Sequence, residues 1–274
     1  MLLWLYKIKR IISSTRSLTL LTTLLTWSCS TTPITDRKAL NAIPQGQLSE
    51  MGQSTFEQMK QKEKRLPDGP LKRQIVEIGK RIAAASGVDF DWEFEVFDAP
   101  QTVNAFCLPG GKIGVYTGIL PVAENTAGLA AILGHEVAHA TANHGGERLT
   151  QNMLLQTGLQ LADLTMMNSK YRSLLMAGLG VGAQVGVLLP YSRLHESEAD
   201  EIGLVYMAKA GYDPSEAPKL WKRMAAAGSG GTPSFLSTHP DPNKRAKELK
   251  EQQSEVQAVY RASKQQETKT LMAH

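Results

Sequence analysis

Apolar side chains recur at helical intervals along most of this chain. Leu71, Ile75, Ile78 and Ile82 lie three or four positions apart, and Gly87 follows as a stop signal, so this segment is expected to be an amphipathic helix. The same kind of pattern predicts further helices over residues 47–65, 124–147, 196–210, 214–227 and 243–262. The chain is therefore expected to be mainly helical.

A different pattern occupies residues 90–117. Apolar residues alternate with charged ones over residues 90–97, which is typical of a half-buried strand. Two short apolar runs then flank Pro109-Gly110-Gly111, which predicts a β-hairpin over residues 103–117. Together the two patterns predict an α+β fold with a small antiparallel sheet beside the helix at 124–147.

One apolar stretch, Leu174 to Leu189, is glycine-rich, contains Gln184 and stops at Pro190. A membrane span usually needs about 20 apolar residues, so this stretch is short for one. We expect a buried helix or a flap near a functional site. The alternative, membrane association, would make the protein an integral membrane protein.

Composition and charge narrow the class of protein. The 274 residues are 42% hydrophobic and 20% charged, as in an ordinary globular protein whose core needs no disulfides. The formal net charge of +4 comes from the start of the chain, where four basic residues and no acidic one precede Cys29. The remainder has 26 basic and 26 acidic residues, which argues against a nucleic-acid-binding surface.

The first 28 residues have the pattern of a secretion signal. A basic segment precedes an apolar run at 18–27 that is too short to span a bilayer. Ser28-Cys29-Ser30 resembles a bacterial lipoprotein cleavage site, after which Cys29 would carry the lipid, and Ser30 would favour the outer membrane. The alternative is a plain signal peptide or signal anchor, which would allow a Cys29–Cys107 disulfide.

The strongest chemical signal is His135-Glu-Val-Ala-His139. On a helix, the two histidines lie four positions apart and point the same way, so they can bind one zinc ion, and Glu136 can deprotonate a water molecule beside it. A pentapeptide fixed at three positions also occurs by chance. A hydrolytic zinc site needs a third protein ligand from elsewhere in the chain.

The best third ligand is Glu196, at the start of a predicted helix. Asp200 lies four residues later on the same face, where it can accept a hydrogen bond from a zinc-binding histidine. Glu198 points elsewhere, and a solvated acidic helix start is the plainer alternative. His144 is a rival, but it is expected to lie off the metal face with a packing or supporting role, and His195 is the weaker rival.

Four blocks of sequence resemble metallopeptidase family forty-eight, the family of the Oma-type proteases, over roughly residues 36–250. The blocks are Asn104-Ala-Phe with Pro109-Gly-Gly, His135 to His144, Ser192 to Asp200, and Thr238-His-Pro-Asp-Pro-Asn-Lys-Arg245. Their order is the family's order. The resemblance implies a zincin-type metalloprotease domain, and the lipoprotein-like start resembles the periplasmic branch of the family.

The resemblance also implies roles for individual residues. It places one Zn²⁺ per chain on His135, His139 and Glu196, with Glu136 as the catalytic base. His239 would be a removable fourth ligand or an oxyanion stabiliser, and a surface loop histidine is the alternative. Arg245 would anchor that loop or pair with a carboxylate. The hairpin would offer an edge to an extended polypeptide substrate, and Cys107 on it is expected to be a small buried residue.

The expected function is a zinc-dependent endopeptidase of the bacterial cell envelope, acting in protein quality control. It would lie in the periplasm, lipid-anchored at the outer membrane, with possible envelope protein partners and no nucleic acid. The alternative is an envelope chaperone or assembly factor with a closed zinc site. The expected organisation is a signal (1–28), a tether (29–45), the peptidase domain (46–250) and a charged helical or disordered tail (251–274).

Overall fold

A computed structural model of the chain describes residues 29–227 and 234–272. The predicted signal segment at 1–28 lies outside the described residues, as do the side chain of Cys29 and the glycine-rich loop expected from Gly228 to Thr232.

The described chain is mainly helical. Its helices are α1 (Gln45–Lys62), α2 (Pro70–Ser86), α3 (Leu120–Ala123), α4 (Thr126–Thr141), α5 (His144–Thr165), α6 (Arg172–Ala183), α7 (Leu189–Lys209), α8 (Glu216–Ala227), α9 (Ser234–Thr238) and α10 (Pro242–Ala262). Its strands are β1 (Cys29–Thr31), β2 (Lys38–Leu40), β3 (Glu93–Phe97), β4 (Ala105–Leu108) and β5 (Lys112–Tyr116). The predicted α+β class, mainly helical with small sheets, is confirmed.

The three-stranded sheet has the order β3-β5-β4. The predicted hairpin is present as the antiparallel pair β4–β5, whose turn needs glycine because Gly110 and Gly111 have φ values of 81° and 82°. The sheet is mixed rather than purely antiparallel, because β3 runs parallel to β5. Strand β5 lies in the middle of the sheet, so β4, although it precedes β5 in the chain, is an edge strand.

Helix α4 is the centre of the core, since nearly every residue from Thr126 to Ala140 is buried. It packs most extensively against α7, and the two helices approach closest at Gly134 and Gly203. A Cβ atom on Gly134 would lie 2.8 Å from the Gly203 carbonyl oxygen, so only glycine allows this crossing. The close approach brings the zinc-motif face of α4 against the acidic face of α7.

Helix α4 ends at Thr141, six residues before the predicted end at 147. Asn143 takes a left-handed conformation with φ of 55°, which asparagine tolerates and which stops a helix. Its side chain then accepts a hydrogen bond from the Gly146 N–H at 3.3 Å and caps α5. The break allows His144 to turn back toward α4.

The prediction that residues 174–189 form a buried helix is wrong. Helix α6 has no buried residue, and neither does the π-helical turn Gln184–Leu188 that joins it to α7. Pro190 does not end the helix either, because it falls in the first turn of α7 after that register change. Apolar periodicity alone does not distinguish a helix in a core from one exposed to another apolar medium.

Both ends of the described chain are more ordered than their composition predicted. Within the segment expected to be a tether, β1 and β2 pair in an antiparallel ladder, and the Ala42 N–H donates to Thr150 Oγ1 at 3.0 Å. At the other end, the Thr126 N–H donates to the Lys269 carbonyl at 2.9 Å. Backbone hydrogen bonds to the domain therefore fix segments that have few apolar residues of their own.

Candidate metal centre

Four buried side chains converge where α4, α7 and the segment after α9 meet: His135, His139, Glu196 and His239. One potential ligand atom from each lies within 4.8 Å of all the others. The Nε2 atoms of His135 and His139 are 3.0 Å apart. Glu196 Oε2 lies 3.2 Å from His135 Nε2, and Glu196 Oε1 lies 3.3 Å from His139 Nε2.

These separations fit a metal ion. Two ligands about 2.1 Å from one zinc ion at a tetrahedral angle lie about 3.4 Å apart. Burial lowers the pKa of His139 well below its usual value, so the ring is neutral and has a lone pair to donate. Two imidazoles and one carboxylate are the donor set of many hydrolytic zinc sites.

Asp200 and Arg245 support the centre from behind. Asp200 Oδ1 lies 3.1 Å from His135 Nδ1, which leaves Nε2 of that ring for the centre. Arg245 donates to both Asp200 oxygens at 2.5 and 2.6 Å and to Glu196 Oε2 at 3.1 Å. Its guanidinium lies 3.4 Å from the centroid of the Trp221 ring.

The pKa directions follow from this arrangement. Burial raises the pKa of Asp200, but Arg245 and His135 together outweigh burial and the net pKa is lowered. Burial likewise opposes ionisation of Glu196, yet the neighbouring histidines hold its pKa well below the ordinary value. Burial and Arg245 would lower the pKa of His135, while hydrogen bonds to Asp200 and Glu196 raise it on balance. Both carboxylates are therefore anionic.

A second buried network lies on the other side of His139. His144 places Nδ1 2.8 Å from His139 Nδ1 and Nε2 3.0 Å from Glu198 Oε2. Glu198 also accepts hydrogen bonds from Thr32 at 2.7 Å, from Thr35 and from Arg37 at 2.6 Å. The segment before α1 is thus connected to His139 through Glu198 and His144.

Arg37 joins this network to a neighbouring pair. Its guanidinium also donates to Glu147 at 3.0 and 2.8 Å, and Glu147 lies 2.9 Å from His195 Nε2. The rings of His144 and His195 stack with their centroids 4.3 Å apart. His195, like His144, therefore lies outside the four-residue centre.

Glu136 projects beside the centre, with one carboxylate oxygen, Oε1, that accepts no hydrogen bond from the described residues. This Oε1 is buried, and His239 Nε2 lies 3.5 Å from it. A buried carboxylate oxygen without a partner is costly in a folded protein. This oxygen is free to accept a proton from a water molecule or a substrate group at the centre.

His239 is held in the centre by its own segment. Its N–H donates to the Phe235 carbonyl at 2.8 Å, and its ring stacks on Phe235 with 4.4 Å between centroids. Its Nδ1 lies 2.7 Å from Glu196 Oε2 and 3.0 Å from His135 Nε2. The sequence resemblance left a fourth ligand and an oxyanion stabiliser open, and these distances favour a ligand.

The structure brings together every residue that sequence reasoning named for the centre and its support: Glu136, His135, His139, Glu196, Asp200, His239 and Arg245. Glu198 points away from the centre, as expected, but it is buried and bonded to His144 rather than solvated. Sequence reasoning missed Thr32, Thr35 and Arg37, because the composition of their segment predicted a tether. Cys107 on β4 is free and partly buried, and burial raises the pKa of its thiol well above the usual value.

Comparison with known proteins agrees with this centre. Residues 70–253 match the model of peptidase family M48. The chain therefore belongs to peptidase family M48, a family of metallopeptidases, and it carries an intact His/Glu metal-binding cluster.

The relatives include mitochondrial and bacterial proteases. The chain is 37% identical over 231 residues to the mitochondrial metalloendopeptidase OMA1 of Schizosaccharomyces pombe, covering 82% of this chain and 66% of that protein. It is 33% identical over 215 residues to the OMA1 of Saccharomyces cerevisiae, covering 72% of this chain and 60% of that protein. It is 28% identical over 225 residues to the beta-barrel assembly-enhancing protease of Yersinia pestis, covering 78% of this chain and 46% of that protein. The chain spans less than two thirds of the length of each.

Proposed function

We propose that this protein is a zinc-dependent endopeptidase that binds one Zn²⁺ through His135, His139 and Glu196. The observation that carries the proposal is the buried Oε1 of Glu136, which has no hydrogen-bond partner among the described residues, beside the converging ligand atoms of His135, His139 and Glu196. When bound, zinc would lower the pKa of a water molecule to near 7 and polarise a scissile carbonyl.

The chain's own residues supply the proton transfers. Glu136 accepts a proton from the attacking water through the free Oε1 and later delivers it to the leaving amine. Asp200 keeps the proton of His135 on Nδ1, so that Nε2 stays available as a ligand, and Arg245 keeps Asp200 anionic.

The edge strand β4 is where a substrate would bind. It pairs with β5 on one side only and packs near the α4 helix, so its other edge is available for pairing with an extended polypeptide. Such a strand would lie beside Glu136, whose charge is close enough to affect the pKa of Cys107 on β4. The substrate class is therefore a polypeptide in extended conformation, as found in misfolded or locally unfolded proteins.

A closed form of the centre supports a second candidate function. His239 Nδ1 is as close to the other ligand atoms as they are to one another, and its Nε2 faces Glu136. A fourth protein ligand leaves no open position for water. A chaperone or assembly factor with a closed zinc site is therefore the second candidate function. Protease activity requires His239 to move away from the metal.

The location that we propose is the bacterial cell envelope, with the protein lipid-anchored through Cys29 in the periplasm, at the outer membrane. The basic and apolar segments at 1–27 and the Ser28-Cys29-Ser30 sequence support it. Metabolic labelling with palmitate tests it, since Cys29→Ser should abolish incorporation into the chain and Cys107→Ser should not. Labelling of both variants alike would contradict it.

Metal dependence separates the two functions. Unfolded casein should be cleaved by the wild-type protein, spared after chelation, and cleaved again on stoichiometric zinc addition. Suppression of casein aggregation without cleavage, in the zinc-loaded protein and in His239→Ala alike, would support the chaperone function and contradict the protease.

A further inference from the structure

We propose that α6 and the π-helical turn after it insert into a lipid bilayer and hold the metal centre at its surface. Helices α5 and α6 form a hairpin that extends from the domain, and α6 continues into α7 as one helix from Arg172 to Lys209. Its most apolar 18-residue window has a mean hydropathy of 1.6, and none of that window is buried in the structure.

The length and the charges match a bilayer. Residues 173–192 contain no charged side chain, and 20 helical residues are about 30 Å long, the thickness of the hydrocarbon layer. Basic residues flank the stretch, with Arg172 before it and Arg193 after it, and Tyr171 and Tyr191 lie within two positions of them. No acidic residue lies between Asp163 and Glu196, so the charge complements anionic headgroups.

The distribution of apolar side chains around the helix favours lipid over a second copy of the chain. At about 100° per residue, Leu174, Leu175, Leu179 and Val181 of α6 cover an arc of about 160°, and they are 71%, 45%, 42% and 65% exposed. A helix that pairs with one other helix needs only a narrow apolar stripe, whereas a wide exposed apolar arc indicates a surrounding apolar medium. Only the strip that faces α5 is covered within the described chain.

Some polar groups of the hairpin bond within it. Arg172 pairs with Asp163 at 2.6 Å, and the hydroxyl groups of Thr157 and Thr165 donate to backbone carbonyls one turn earlier. These bonds lower the cost of moving the groups out of water.

The described segment before α1 contacts the base of the same hairpin. Arg37 binds Glu147, and Ala42 binds Thr150, both in the first two turns of α5. In the sequence, the apolar run at 18–27 comes before this segment. Because Arg193 is three residues from Glu196, the centre would lie within about 5 Å, along the helix, of the bilayer surface.

The test places a nitroxide spin label on the full chain, with both native cysteines replaced by serine, in vesicles of phosphatidylcholine and phosphatidylglycerol. Leu179→Cys reports on the hairpin, and Lys247→Cys, on the exposed face of α10, is the matched control. Power saturation compares the access of oxygen, which concentrates in hydrocarbon, with that of a nickel chelate, which stays in water.

The label at 179 should be reached far better by oxygen than by nickel, and the label at 247 should show the reverse. Equal nickel access at both positions would overturn the proposal, even if residues 1–28 attach the protein to the vesicles, because each label reports its own surroundings. Shielding of position 179 from both reagents would also overturn it and would indicate that a protein surface covers the hairpin.

Discussion

The Nδ1 atom of His144 lies 2.8 Å from the Nδ1 atom of His139. Because Nε2 of His139 faces the metal centre, its Nδ1 carries the proton and donates it to His144, whose Nε2–H then donates to Glu198. One buried carboxylate thus sets the tautomers of two histidines in series. A hydrogen bond of this kind orients a metal-binding imidazole and raises its basicity.

Replacing His144 by phenylalanine keeps the ring and removes both hydrogen bonds. We expect zinc affinity to fall about 10- to 100-fold, the usual effect of losing such a supporting contact. Competition with a chromogenic chelator measures it. His195→Phe is the control, since His195 is equally buried and contacts Glu147 instead of a ligand. Equal loss of affinity in both variants would show that general packing, rather than the bond to His139, is responsible.

Removal of His239 should activate the centre. In His239→Ala one ligand position becomes available to water, while His135, His139 and Glu196 remain to hold the metal. Casein cleavage is expected to rise several-fold with one zinc still bound per chain. A fall in cleavage with full zinc content would instead assign an oxyanion-stabilising role to His239.

Arg245 should matter for stability even without metal. It is buried and binds two carboxylates, so its replacement by methionine leaves uncompensated charge. Breaking such a buried pair costs about 3–5 kcal/mol. Urea denaturation of the chelator-treated protein measures the free energy of unfolding. Arg81→Met, which breaks the exposed pair with Glu77, should cost at most about 1 kcal/mol, and a similar loss in both variants would contradict the expectation.

Glu147 gives a pH dependence with a definite sign. Burial opposes its ionisation, but hydrogen bonds from His195 and Arg37 lower its pKa from 4.5 to about 2. A carboxyl whose folded-state pKa is lowered stabilises the fold above its unfolded pKa and loses that contribution as pH falls through the folded value. The stability difference between wild type and Glu147→Gln should therefore narrow from pH 5 toward pH 2. A constant difference, measured by urea denaturation at each pH, would contradict it.

The centre could be predicted because its residues lie at helical spacing. His135 and His139 share one face of α4, and Glu196 and Asp200 share one face of α7, so the pattern alone defines two complementary surfaces. That they meet depends on the close approach at Gly134 and Gly203, which no local pattern predicts.

The supporting network could not be predicted in the same way. Arg37 and Glu198 are 161 positions apart, and neither belongs to an apolar periodicity. The end of α4 depends on one left-handed residue, Asn143, inside an otherwise helical pattern. For the segment 174–189, hydropathy is the same in a core and in a bilayer, so only the fold distinguishes the two.

The most direct test of the proposed activity compares the zinc content and the casein cleavage of Glu136→Gln with those of the wild-type protein. The amide keeps the shape of the side chain but cannot take up the proton, so one zinc per chain should remain while cleavage falls by about 10²- to 10⁴-fold or more. Glu251→Gln, at an exposed position on α10, should leave both unchanged. Undiminished cleavage by zinc-loaded Glu136→Gln would contradict the role of Glu136 and the mechanism built on it.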